Sequence, residues 1–472
     1  MNKRTKIVAT VSEINAKPEF LQKLFAAGVN VVRLNSAHQD IHDTKQVVDA
    51  IRAVNPSIAI LVDTKGPEIR TSSHGVALEV TKGDIIFVKG DPKGESGGDT
   101  LYVSYEFFVR DVSVDGYILI DDGDISLQVI GKENDRLRCV VENSGKIKNR
   151  KGVNIPCVKL RLPVISQKDA QYIQFAIENK IDFIAHSFVQ HADDIKEVRE
   201  ILNASHSNTQ IIAKIENQIG VDNMDNIIQE ADGIMIARGD LGIELPVEKI
   251  PTIQRKLIKE CIKNNKMVIV ATQMLHSMIS NPRPTRAEVT DVATAVYEKA
   301  DALMLSGETA TGEYPLQSVA MMRKIIKEVE DTLGKFPIKT PPLDNSILSV
   351  LTNSTVIACN KLDIKAIIVD TMSGRTARHL ASYRGKIPVY AFCYEEHVAR
   401  QLALSYGVQA YTIDISTSRD CFLQNTVEFL VKEKIIALKD KVVVVAGSFG
   451  VSNGASFMEI STAQNLIENF EG

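Results

Sequence analysis

The sequence predicts a (β/α)8 barrel, interrupted once by a small all-β insert and followed by a separate α/β domain. Three observations predict it. Short apolar β-runs alternate eight times with helix-length segments, and nearly every run ends in polar side chains. The alternation breaks only between residues 72 and 157, where β-branched runs and tight-turn signals replace it. At 472 residues the chain is also too long for one hydrophobic core and must divide into domains.

In chain order, the strands of the barrel are expected at Lys6–Val11, Val29–Asn35, Ile58–Thr64, Phe183–Phe188, Gln210–Glu216, Gly233–Arg238, Met267–Gln273 and Ala302–Glu308. Helical patterns fall between most of them, at Pro18–Ala27, Asp43–Ala53, Lys168–Asn179, Asp193–Asn203, Asp222–Glu230 and Ile253–Asn264, and a last one at Leu316–Leu333 closes the pattern. The strand ends carry Arg33 and Asn35, Asp63 and Lys65, Ser187, Lys214 and Glu216, Arg238 and Asp240, Thr272 and Gln273, Ser306 and Glu308. In such a barrel the C-terminal strand ends and their loops form the active site.

The insert follows the third strand, so it overhangs that face as a lid that can exclude water. Its strands are expected at Val76–Val80, Ile85–Val88, Tyr117–Ile120 and Leu137–Glu142, with turns at Asp115-Gly116 and Asp122-Gly123. Its returning end, Lys146–Lys151, is basic, which for most of those side chains means a solvated loop. Domain limits follow: 1–71 and 158–335 for the barrel, 72–157 for the lid, 336–472 for the C-terminal domain. In the last, Phe336–Leu343 reads as a linker and Lys365–Asp370, Pro388–Cys393, Gln409–Ile413 and Lys441–Ala446 as strands of a three-layer sheet. Thr371, Ser373, Gly374, Arg375 and Thr376 open a helix there. They form either a phosphate cradle or a turn in which Ser373 merely caps that helix.

Composition excludes several classes. With 44% hydrophobic and 24% charged residues the chain is ordinary globular protein, and a net charge of −4 without a basic block argues against nucleic acid. Cys139, Cys157, Cys261, Cys359, Cys393 and Cys421 include no C-x-x-C pair, so neither zinc nor a disulfide framework is expected and a reduced cytosol fits. The first apolar run is too short for a signal peptide and no segment reaches membrane-spanning length, so a soluble, cytoplasmic protein is expected.

Chemistry concentrates in IIAKIENQIG (211–220) and GIMIARGDLG (233–242). Strand alternation points Lys214 and Glu216 the same way, about 7 Å apart along the strand. Arg238 and Asp240 repeat the spacing. Glu216 and Asp240 together suit one hard cation, since magnesium commonly takes one or two protein carboxylates and completes its shell with water and substrate oxygens. The bland alternative for a single Lys-x-Glu is a salt bridge, but two adjacent runs ending alike weaken it.

These residues resemble those of the pyruvate kinases, along essentially the whole chain. The matching segments are TKIVAT, VVRLN, LVDTKGPEIRT, KGVNIP, IIAKIENQIGV, DGIMIARGDLGIELP, ATQMLHSMISNPRPTRAEVTDVA and DALMLSGETATGEYP. The resemblance implies a TIM-barrel A domain, an inserted β-barrel B domain, a C-terminal effector domain and a homotetramer. The activity it implies is the glycolytic kinase reaction: phosphoenolpyruvate and ADP give pyruvate and ATP, with Mg2+ (or Mn2+) and K+. Lys214 resembles the lysine that stabilises the phosphoryl group in flight, and Glu216 and Asp240 resemble the magnesium ligands. Gly239 and Asp240 N–H groups with the Thr272 hydroxyl look like the cradle of the phosphoenolpyruvate carboxylate. Arg33 and Arg70 look like phosphate binders, Arg33 nearest the transferred group, and Lys151 like a nucleotide-phosphate contact. Asn35, Asp63 and Thr64 resemble potassium ligands, and Thr272, Ser306 and Glu308 ring the side from which the enolate would gain its proton.

The chain departs from the family pattern twice. Thr10-Val11-Ser12-Glu13 stands where the family has T-x-G-P, and Ser36-Ala37-His38-Gln39 where it has Phe-Ser-His-Gly, so Ala37 replaces a potassium-binding hydroxyl. Glu68 occupies the position where glutamate accompanies potassium dependence in the family. Two other readings remain: a metal-dependent lyase acting on a pyruvate enolate, which would need neither lid nor Lys214, and a catalytically silent metabolite sensor, which would not keep Lys214, Glu216, Asp240 and Thr272.

Overall fold

The computed structural model describes residues 3–72, 77–156, 158, 160–333, 344–414, 418–447 and 455–468. Eight parallel strands close into a barrel: Lys6–Thr10, Val31–Asn35, Ala59–Asp63, Phe183–His186, Gln210–Ile215, Gly233–Ala237, Met267–Ala271 and Ala302–Leu305. Each lies within its expected run. Alternation sorts the side chains into two layers. Val8, Val31, Leu61, Phe183, Ile212, Met235 and Ile269 fill the barrel, while Ile7, Val32, Ile60, Ile184, Ile211 and Ile234 pack against the surrounding helices. The pattern Asp222–Glu230 resolves into two short helices, Gln218–Asp222 and Met224–Glu230, meeting at Asn223.

The floor of the barrel repeats one device four times. Asn30, Asp182, Asp232 and Asp301 each stand immediately before an even-numbered strand. Each accepts, at 2.8–3.0 Å, the N–H of the second residue of the preceding odd-numbered strand: Ile7, Ile60, Ile211 and Val268. A strand foot leaves backbone donors that the ladder does not use, and a side-chain oxygen satisfies one of them.

The lid is a seven-stranded sheet ordered Ile69–Arg70, Gly152–Asn154, Tyr117–Ile120, Ile125–Glu133, Arg136–Val141, Ile85–Gly90 and Thr100–Val103. A bridge between Thr71 and Val103 joins its two edges, which makes it barrel-like. Its own apolar core includes Val88, Phe108, Ile118, Leu127 and Leu137. Leu78–Val80 pairs with Gly145–Ile147; Val76, the expected start of that strand, lies outside the described residues. Cys157 and the proposed linker Phe336–Leu343 lie outside them as well.

The C-terminal domain has the four expected strands, parallel and adjacent, in the order Val408–Thr412, Val389–Cys393, Ile364–Thr371 and Lys441–Gly447. A fifth, Ala455–Thr462, adds antiparallel at the edge. Helices cover both faces, each over a separate core. The short segment Leu402–Leu404 carries Leu404 into the bottom of the barrel, where it joins the interior cluster and is wholly buried. Gly407 N–H donates to Arg4 O at 2.9 Å, and the Lys6 ammonium donates to Val408 O. The C-terminal domain thus plugs the barrel floor, opposite the lid.

Candidate active site

Lys214 stands at the centre of the upper face. Its ammonium lies 3.0 Å from an Asp63 oxygen and 2.9 Å from Glu216, and donates to Ser187 Oγ at 2.6 Å. Burial alone would lower its pKa, but the carboxylates of Asp63, Glu216 and Asp240 outweigh burial and raise it, so the charge is permanent. Asp63, on the third strand, also takes the Arg33 guanidinium at 2.7 Å. Burial pushes the Asp63 carboxyl up; Lys214 and Arg33 overcome it and hold it below the usual range. Arg33 further donates to Thr10 Oγ1 at 3.1 Å, so the first, second, third and fifth strands meet in one network. Ser187 completes it by donating to Thr64 O at 2.7 Å.

Glu216 and Asp240 are both raised by burial, Glu216 to about 7, with Lys214 opposing in both, Asp240 adding to the rise of Glu216 and Asp63 to that of Asp240. Two desolvated carboxylates that share one lysine are short of positive charge, which is the donor chemistry of a hard divalent cation. Among the described residues no cluster of three or more His, Cys, Asp or Glu side chains could hold a metal. Glu216 also accepts the Phe188 N–H at 2.7 Å, holding Phe188 at a left-handed φ of 57°. Gly66 packs against this turn: with φ of 73°, its Cβ would come within 2.6 Å of the Phe188 ring.

Arg238 corrects the expectation of a second shared mouth. The sixth strand ends at Ala237, and Arg238–Glu244 is helical. Helical turning sends Arg238 away from Asp240, onto Asp291 at 2.7 Å and Thr272 O at 2.8 Å. It braces the loop that carries Thr272, whose φ is 66°. Thr272 Oγ1 in turn accepts the Gly239 N–H at 2.7 Å, bringing two of the cradle groups together.

Glu308 is held in place by the backbone of two loops. Its two oxygens accept the N–H groups of Leu275 at 3.1 Å and Ser306 at 2.8 Å. Ser306 Oγ, by contrast, is buried and finds no partner among the described residues. The candidate potassium ligands Asn35, Asp63 and Thr64 lie together at the ends of the second and third strands. Asn35 Oδ1 accepts Ala37 N–H at 3.1 Å, and the neighbouring Ser36 Oγ is buried without a partner.

Arg70 and Lys151 face each other across the lid's root. Thr71 N–H donates to Lys151 O at 2.8 Å, and Arg70 donates to Arg150 O at 2.7 Å. Glu68 pairs with Arg70 at 2.6 Å and Lys65 at 3.3 Å, and Lys151 pairs with Asp121 at 2.8 Å. Glu68, Arg70, Asp121, Lys151 and Asp240 line one cleft of about 420 Å³ between lid and barrel. The two departures from the family pattern meet each other: Gln39 donates to Glu13 at 2.8 Å. The sequence marks Ser187 only as one of the polar strand ends, with no role attached, and gives no signal for this pair; for Thr10 the signal is its position at a strand end.

In the C-terminal turn, the residue before the helix Arg375–Ser382 is Gly374, with φ of 76°, not Ser373. Thr371 Oγ1 accepts the Gly374 N–H at 2.9 Å, so the capping reading of Ser373 is corrected. Arg375 is exposed and Thr376 buried.

Comparison with known proteins bears on all of this. A family model described as the pyruvate kinase barrel domain matches residues 2–319, and one described as the pyruvate kinase alpha/beta domain matches residues 350–461. A pyruvate kinase of Borreliella burgdorferi is 43% identical over 99% of this chain and 99% of its own. One of Staphylococcus aureus is 40% identical over 100% of this chain and 82% of its own. A crystal structure of a pyruvate kinase from Cryptosporidium parvum superposes with a TM-score of 0.92 at 33% identity, covering 98% of this chain and 96% of that one. With both domains matched and relatives alike from end to end, the chain belongs to the pyruvate kinase family.

Proposed function

We infer that this enzyme transfers the phosphoryl group of phosphoenolpyruvate to a terminal phosphate oxygen of ADP, releasing pyruvate and ATP. The observation that carries the assignment of roles is the Lys214 ammonium, held between Asp63 and Glu216 at the mouth of the barrel. Phosphoryl transfer asks for positioning and charge neutralisation more than covalent chemistry. Lys214 and Arg33 supply fixed positive charge for the equatorial oxygens in flight. Glu216 and Asp240 would hold Mg2+ or Mn2+, which when bound neutralises phosphate charge. The Gly239 and Asp240 N–H groups and the Thr272 hydroxyl orient the substrate carboxylate, which takes over the Gly239 N–H from Thr272 Oγ1, and Arg70 and Lys151 hold the ADP phosphates as the lid comes down. Breaking the enol ester P–O bond leaves an enolate, and carbon three gains the proton. The free hydroxyl of Ser306, with Thr272, lines the route by which water delivers it.

Asn35, Asp63 and Thr64 form the potassium site, with the buried Ser36 hydroxyl in place of the ligand lost at Ala37. Glu68 adds negative charge beside Arg70, so the ion is needed. A second copy docks on the C-terminal domain to build a homotetramer, supported by the exposed Ile347, Val350 and Ile357 on the helix Ile347–Lys361 beside the edge strand Ala455–Thr462. An oxyanion of a phosphorylated effector sits on Thr371–Thr376. Among the described residues no helix is long and apolar enough to cross a membrane, and the reduced cytosol is the working compartment.

Pyruvate and ATP formation from phosphoenolpyruvate and ADP tests the activity. Replacing potassium by a tetraalkylammonium salt at constant ionic strength should abolish most of the rate, and Glu68→Lys should restore it. Full wild-type activity without potassium would sink the cation assignment.

A further inference from the structure

A lysine ammonium carries three N–H donors and accepts nothing. In Lys214 all three are engaged: with Asp63 Oδ1 at 3.0 Å, Glu216 Oε1 at 2.9 Å and Ser187 Oγ at 2.6 Å. Two of these acceptors are carboxylates that the cation sites also claim, Asp63 for potassium and Glu216 for the divalent ion. The third, the Ser187 hydroxyl, is neutral and belongs to neither cation site.

Ser187 is itself held from both sides. Because Lys214 can only donate, the Ser187 hydroxyl proton must point elsewhere, and it goes to Thr64 O at 2.7 Å. The Ser187 N–H donates to Thr64 Oγ1 at 3.1 Å, and the next N–H, that of Phe188, donates to Glu216 Oε2 at 2.7 Å. Third and fifth strands thus fix the hydroxyl between them. Gly66 passes so close above that a Cβ there would meet the Ser187 Cβ at 2.9 Å, which leaves the side chain little room to shift. Ser187 is 3% and Lys214 9% exposed, so water hardly competes for their contact.

We propose that Ser187 is the positioning residue of Lys214. As the Asp63 and Glu216 carboxylates serve cations, two ammonium donors come free for the equatorial oxygens of the phosphoryl group in flight. The Ser187 hydroxyl, hung from Thr64 O, keeps the third donor and with it the aim of the other two. A short charge-assisted bond to a rigidly held acceptor suits that task, since the rate depends on where the charge stands when the phosphoryl group passes. This rests on reading Lys214 as the group that faces the transferred phosphoryl.

Steady-state kinetics and thermal unfolding of wild type, Ser187→Ala, Lys214→Met and the double variant test it, with phosphoenolpyruvate, ADP, magnesium and potassium supplied. Ser187→Ala removes one oxygen and adds no bulk. Its kcat should fall by about ten- to a hundred-fold, with half-saturation by both substrates within about two-fold of wild type. In the Lys214→Met background the same change should cost less than about two-fold, because a group that acts through Lys214 then has nothing to act on. The rise in Tm on adding magnesium should match that of wild type, since Glu216 and Asp240 are intact. Wild-type kcat in Ser187→Ala would overturn the proposal, and so would equal losses with and without Lys214. A lost magnesium shift would also overturn it, by placing the damage in the cation site. Full activity in Lys214→Met would instead remove the reading of Lys214 on which the positioning rests.

Discussion

Lys214 is surrounded by more carboxylate than it can neutralise, and that imbalance shapes what single substitutions will do. Lys214→Met removes a charge that matters most in the transition state, so kcat should fall by on the order of 10² to 10³ while the fold persists. A variant keeping most of its kcat would remove Lys214 from the mechanism. Glu216 gives a pH-dependent consequence. Its carboxyl is raised from 4.5 to about 7, so across that interval the unfolded chain releases the proton before the folded, metal-free chain does. Metal-free stability therefore falls as pH rises through the interval, and a cation that needs the carboxylate competes with the proton. The rise in Tm on adding magnesium should grow between pH 5.5 and pH 8, and Glu216→Gln should flatten it. Equal shifts at both pH values would argue against Glu216 as a ligand. Gly66 is the position where backbone alone decides: an added Cβ meets Phe188 at 2.6 Å and Ser187 at 2.9 Å at a left-handed φ. Gly66→Ala should cost of order 1–3 kcal/mol, measured by denaturant unfolding, and should impair activity because the same loop leads into the lid.

At the scale of elements, the repeated side chain before each even-numbered strand explains how short strands hold register. Asp301 accepts Val268 N–H, Tyr406 N–H at 2.9 Å and both Arg384 amino groups while only 2% exposed. Asp301→Ala leaves Arg384 buried without its partner, and such a loss typically costs about 3–5 kcal/mol. Equilibrium unfolding against Arg384→Gln and the double variant should show strong non-additivity; simple additivity would mean the clamp is not a unit. The sequence pattern located the strands because apolar runs and polar ends are local. It could not place the strand-foot acids in a role, because an Asp before a strand looks like any turn residue until a neighbouring strand presents its N–H.

At the scale of the whole molecule, the C-terminal domain is built into the barrel, since Leu404 occupies its floor. Leu404→Ala opens a cavity there and should cost about 2–5 kcal/mol, lowering Tm of barrel and C-terminal domain together. Separate transitions, with the barrel unchanged, would show that the plug is dispensable. Val350→Asp and Ile357→Asp place charge on an exposed apolar stripe of the C-terminal domain. Sedimentation should show smaller assemblies for them than for wild type, and unaltered assembly would move the subunit contact elsewhere.

What the sequence by itself determined is what local pattern can carry: the eightfold alternation, the interruption after the third strand, the separate α/β domain, and the charged ends that mark the upper face. Lys214 and Glu216 were legible because a two-residue spacing at the end of a buried strand sets direction before any neighbour is known, whereas Asp240 stands on the helix Arg238–Glu244, where strand alternation does not apply. The tertiary structure alone decided the partners. It turned Arg238 from the site onto Asp291, gave Glu308 two backbone N–H groups to hold, joined Glu13 to Gln39, and put Gly374 rather than Ser373 immediately before the C-terminal helix, which removes the capping alternative for Ser373. Each of these depends on which loop lies beside which in the closed barrel or packed sheet. That adjacency arises from chain closure over tens to hundreds of residues, which no local spacing encodes.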